Sequence, residues 1–119
     1  MSYDERELIR YPKDAQGNRV GCFYAAVINH AQEDDGPHVV VGWSAYNKEC
    51  EERPFIKTLA RDIAWGRLIN GTTKGRMPDA LKFHLTNFLY AVNTYLKPSR
   101  ITIVNDDRER YYGRADLRM

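Results

Sequence analysis

At 119 residues, with 43% apolar and 29% charged side chains, the chain has the balance of one globular domain, which excludes a disordered or collagen-like polymer. Its net charge of +2 is too small to be a nucleic-acid footprint by itself, and no apolar run approaches the length of a membrane span. The two cysteines, Cys22 and Cys50, lack metal-ligand spacing, and the opening MSYDERELIR is too charged for a signal peptide, so the sequence predicts a reduced, cytoplasmic protein.

The first two predicted strands are Leu8–Tyr11 and Val20–Asn29, joined by the turn formers of Pro12–Asn18. After a second turn over Ala31–Pro37, a third strand covers His38–Tyr46. The connections are short enough for an antiparallel meander. The middle strands are apolar at both parities, with Cys22, Tyr24, Ala26 and Ile28 alternating with Phe23, Ala25 and Val27. Such strands bury both faces of their sheet, under helices or under another subunit.

Pro54 suits the first turn of a helix that runs to about Ile69 and stops at Asn70-Gly71. At helical spacing Phe55, Ile56, Leu59, Ile63 and Gly66 share one face, expected to pack on the sheet, with Trp65 and Leu68 pointing away. A basic connection over Gly71–Met77 leads to a second helix, opened by Pro78 and ending near Leu96. Its core stripe is Leu81, Leu85, Phe88, Leu89, Val92 and Leu96. Ile101–Val104 forms a last strand, and residues 105–119 read as a charged C-terminal arm. The fold class is therefore α+β: an antiparallel sheet of about four strands on two helices, ordered β-β-β-α-α-β, in a single domain over 1–119.

Two features stand outside this core. Phe83 and Tyr90 are seven residues apart, so on a continuous helix they project together, bordered by Asn87 and opposite the core stripe. Two outward aromatics meet a subunit, the C-terminal arm or a stacked ligand. Arg67 sits beside Gly66 at the end of the first helix, where its cation complements the helix dipole or forks onto an anion.

Other constellations carry less. Gly71–Arg76 lacks the lysine-Ser/Thr order and the preceding strand of a phosphate loop. His30, His38 and His84 are scattered, Asp106-Asp107 has no partner acid or histidine, and Ser44 has no nucleophile elbow. No nucleophile stands beside an activating base, so the reading is of a non-enzymatic protein with no catalytic residues, cofactor or metal.

The residues Val41-Gly42-Trp43-Ser44, then Phe55, Lys57, Ala60, Ile63-Ala64 and Gly66-Arg67, resemble a group of small phage-encoded proteins. There a GWS-type strand precedes a helix ending in IAxGR; the match spans about a quarter of the chain, Val39–Arg67. The element order, the outward aromatics and the charged arm also resemble the phage Thoeris anti-defence sponge proteins. Those bind cyclic ADP-ribose-type signals without cleaving them, in pockets between protomers. The resemblance implies a homo-oligomer in the host cytoplasm that sequesters a cyclic nucleotide. Phe83 would then stack on adenine, Asn93 would bond the nucleotide, and Arg67, Arg108 and Arg110 would meet phosphates, with Tyr90 and Asn87 at the interface. Two alternatives stay open: an anti-CRISPR-type inhibitor that covers a bacterial defence protein, and a nucleic-acid binder using Lys57, Arg61, Lys74 and Arg76.

Overall fold

A computed structural model describes residues 2–29, 37–47, 53–70, 76–104 and 110–113, with the side chains of 2–5, 29 and 110–113 excluded. Strands β1 (Ser2–Arg10), β2 (Gly21–Asn29) and β3 (His38–Ala45) come first. Helices α1 (Lys57–Asn70), α2 (Asp79–Lys82) and α3 (Leu85–Leu96) follow, and β4 (Arg100–Ile103) and β5 (Arg110–Gly113) close the order. The five strands form one sheet in sequence order. This is the predicted α+β fold, with two differences in the sheet.

The first difference is direction. β1, β2 and β3 make the expected antiparallel meander, but β4 runs parallel to β3, with Val39 opposite Ile101 and Val41 opposite Ile103. The sheet is therefore mixed, because the three helices between these strands carry the chain back to the end at which β3 began. The second difference is a fifth strand: residues 110–113 of the predicted arm pair antiparallel with β4.

Both faces of the sheet are covered, as the double-parity apolar strands require, and helices supply the cover. On one face Phe23, Ala25, Val27, Val39, Val41, Ile101 and Ile103 pack with Leu81, Phe88, Leu89, Val92 and Leu96 of α2 and α3. The rings of Phe23 and Phe88 stack with centroids 4.9 Å apart. On the other face Cys22, Tyr24, Ala26, Ile28 and Val40 pack with Ala60, Ala64 and Leu68 of α1.

That inner face of α1 corrects the sequence reading. Ile56 and Ile63 are exposed, whereas Leu68, read as pointing away, is buried, and Trp65 packs against the same cluster. The cause lies in β3. A Cβ at Gly42 would fall 2.1 Å from the Ala64 carbonyl oxygen and 2.8 Å from the Leu68 Cβ, so helix and strand are in backbone contact. Only small side chains fit under a helix that close, and Ala60 and Ala64 supply them.

The second predicted helix is also interrupted. Phe83 and His84 form a turn between α2 and α3, Phe83 capping α2 and His84 starting α3. The helix stops where predicted, on Lys97 at φ 48° before Pro98.

Candidate anion-binding site

The parallel ladder between β3 and β4 ends where the Val104 N–H donates to the Val41 carbonyl at 3.0 Å. Two residues on, the Trp43 carbonyl points the same way, beyond the last described pairing of β3 with β4. Arg67 fills that place: its Nη1 donates to the Trp43 carbonyl at 2.9 Å. In return the Trp43 indole N–H donates to the Val104 carbonyl at 2.8 Å. The guanidinium lies over the Trp43 ring, 4.7 Å from its centroid, in a cation–π arrangement.

This geometry leaves capacity for a ligand. A guanidinium carries five N–H donors, and among the described residues Arg67 spends them only on the Trp43 carbonyl, with no carboxylate paired to it. Burial draws the Arg67 pKa below the usual guanidinium value while leaving it charged at neutral pH. A half-buried, stacked cation without a counter-ion from these residues is held in one orientation and presents its remaining donors as a fork. That suits a phosphate or a carboxylate.

Phe83 and Asn93 are the other predicted ligand contacts whose side chains are described. α1 lies on one face of the sheet and α2–α3 on the other, so Phe83 and Asn93 belong to the layer opposite α1, although the Arg67 guanidinium lies over Trp43, which packs in the α2–α3 cluster. No hydrogen bond or ring contact joins either of them to Arg67 among the described residues. Phe83 is 80% exposed and packs edge-on against His84, its own neighbour, with centroids 5.3 Å apart. Asn93 sits deeper, with its amide oxygen buried and without a hydrogen-bond partner among the described residues. Tyr90 is 49% exposed on α3 and Asn87 is exposed beside it, but the turn at Phe83–His84 takes Phe83 off their helix. Arg108 lies outside the described residues. Arg110 is placed by its backbone in β5, opposite Ile103.

Two participants were not singled out as site residues from sequence. Nothing in the strand motif marks Trp43 as a site residue: it packs with Phe23 and Val41 in the α2–α3 cluster, and only the fold brings the Arg67 guanidinium over its ring. Tyr95, 65% exposed on α3, adds a third outward aromatic.

Three other reactive groups among the described residues are engaged or inert. The buried Ser44 hydroxyl donates to the Ala60 carbonyl at 2.8 Å, tying β3 to α1. The Cys22 thiol is fully buried, and burial pushes its pKa up to about 12, far from a nucleophilic thiolate. His38 meets the Thr102 hydroxyl at 2.6 Å. Among the described residues no three His, Cys, Asp or Glu side chains are grouped to hold a metal, and no helix is long and apolar enough to cross a membrane.

Compared with known proteins, the chain matches no family model, no curated protein and no solved structure.

Proposed function

We propose that the chain is a non-enzymatic binding protein for a phosphate-bearing nucleotide, with Arg67 as its phosphate contact. The observation that carries this is the Arg67 guanidinium stacked on Trp43, its donors spent, among the described residues, only on the Trp43 carbonyl. The class of ligand follows the sequence resemblance: a cyclic ADP-ribose-type or other cyclic immune signal, sequestered by a phage counter-defence protein in the host cytoplasm. The exposed Phe83 supplies a face for an adenine. In line with that resemblance the protein acts as a homo-oligomer, with one ligand meeting Phe83 of one copy and Arg67 of another.

Titration calorimetry against a panel of cyclic nucleotides tests the reading. Wild type should bind at least one of them and return it chemically unchanged. Arg67→Lys, which keeps a cation for the Trp43 carbonyl but loses the fork, should weaken binding at least about tenfold, as the loss of a charge-assisted bidentate contact does. No heat with any member of the panel ends the proposal.

A second reading has its own observation: Phe83, Tyr90 and Tyr95 are all exposed, more than a lone domain gains from. They fit a protein-binding inhibitor of a bacterial defence complex. Nucleotide affinity unchanged in Phe83→Ala would move these aromatics to that role.

A further inference from the structure

A second cluster lies where β1, β2 and β3 meet the start of α1, and it is built from residues scattered along the sequence. Tyr11 follows β1, Tyr46 follows β3 and Phe55 precedes α1. Their rings pack edge to face, Tyr11 to Phe55 at 6.1 Å and Tyr46 to Phe55 at 5.3 Å between centroids. All three residues are half-buried. The cluster is held in place by the Tyr46 N–H on the Val20 carbonyl at 3.0 Å and the Tyr46 hydroxyl on the Arg53 carbonyl at 2.6 Å.

Cations are interleaved with these rings. Lys57 Nζ lies 5.3 Å above the Tyr11 ring, and Arg19 Nη1 donates to the Tyr11 carbonyl at 2.6 Å. Arg61 lies one turn along α1 from Lys57, and the Arg53 carbonyl receives the Tyr46 hydroxyl. Two described acids stand nearby. Asp62 sits 3.6 Å from Arg61, and Asp14 is occupied by its own turn, accepting the amides of Gln16 and Asn18 at 3.0 and 2.9 Å. Tyr46 and Arg19 also border an open cleft of about 930 Å³, lined further by Asn18, Asn47 and Pro78. One ring and one cation of the cluster thus open onto a cleft.

We infer that this corner of the sheet binds single-stranded nucleic acid, with Tyr11, Tyr46 and Phe55 meeting bases and Arg19, Lys57 and Arg61 meeting phosphates. Ring faces alternating with cations match a strand whose unpaired bases and backbone phosphates alternate in the same way. A duplex hides its base faces and leaves the three rings unused. The site is separate from the Arg67 reading, since no bond or ring contact joins these residues to Arg67 or Trp43 among the described residues.

Fluorescence anisotropy with a labelled oligothymidylate, over a series of salt concentrations, tests the inference. The expected result is binding whose log affinity falls with log salt at a slope of about −2 to −3, corresponding to three or four neutralised phosphates on a single strand. Lys57→Ala, an exposed change, should weaken binding several-fold and make the slope shallower by about 0.7. Phe55→Leu should weaken binding about fivefold or more and leave the slope unchanged, as lost stacking does. Arg67→Lys should leave the oligonucleotide bound as before, so failure here and failure of the nucleotide proposal are told apart. No binding at low salt, a slope indifferent to Lys57→Ala, or equal affinity for duplex of the same sequence overturns the inference.

Discussion

Trp43 and Arg67 show how two side chains end a ladder. Beyond the last described parallel pairing the Trp43 and Val104 carbonyls take side-chain donors, and buried backbone acceptors without partners are costly. Arg67 closes the first and the Trp43 indole closes the second, so the proposed anion contact is also a structural cap. A single residue sets a pH limit as well. Cys22 is fully buried, and its thiol is pushed up to about 12 from an ordinary value of 9.0. A raised pKa in the folded state means that the unfolded chain loses this proton first as pH rises. The stabilising contribution is complete below about pH 9 and is lost as pH climbs toward 12. Above pH 9, wild type should therefore lose stability relative to Cys22→Ala by about 1 kcal/mol per pH unit, read from urea midpoints of the two proteins at each pH. Cys50 is common to both proteins and cancels. A difference that stays constant from pH 8 to 11 would show that the thiol is not held in an apolar site.

At the scale of elements, α1 is the instructive case. Its existence and its end were legible from the 3.6-residue period and the Asn70-Gly71 stop, whereas its first turn opens at Lys57, three residues after Pro54. Its buried face was not, because the isoleucines outweigh the alanines on any hydropathy count. The deciding residue lies outside the helix: Gly42 on β3 draws α1 into backbone contact, and then only Ala60, Ala64 and Leu68 fit underneath. Glycine at two positions should consequently respond to the same substitution with opposite signs. Gly42→Ala drives a methyl into the Ala64 carbonyl and should cost about 3 kcal/mol, at the upper end for an overpacked core. Gly66→Ala adds its methyl where nothing lies within 4 Å among the described residues, and it removes a flexible residue from the helix. It should stabilise the protein by about 0.5–1 kcal/mol. Urea unfolding of both variants reads the signs directly, and a neutral Gly42→Ala would refute the close approach.

The molecule as a whole is a sheet between two helical layers, and the sequence conveyed that unevenly. Apolar residues at both parities of β2 and β3 announced that both faces are covered. The direction of β4 was not legible, since pairing direction is set by where the helical crossover returns the chain. The sites follow the same division. Arg67 was visible as a Gly-Arg at a helix end, whereas Tyr11, Tyr46 and Phe55 converge only through the sheet and share no sequence spacing. Because both cores use the same strands, neither helical layer can come away while the other keeps its packing partner intact, and the protein should unfold in one step. The two tryptophans report on this from opposite faces: Trp43 belongs to the cluster under α2 and α3, and Trp65 packs against the cluster under α1, 5.1 Å from the Tyr24 ring. In Trp65→Phe the remaining emission follows the first layer, and in Trp43→Phe the second. Within each variant the tryptophan emission and the far-ultraviolet circular dichroism should trace one coincident urea transition. Trp43→Phe should have the lower midpoint, since it leaves the Val104 carbonyl without its donor, a loss of about 1–2 kcal/mol. If either tryptophan reports a transition separate from the circular dichroism, the two layers unfold independently and the shared sheet does not couple them.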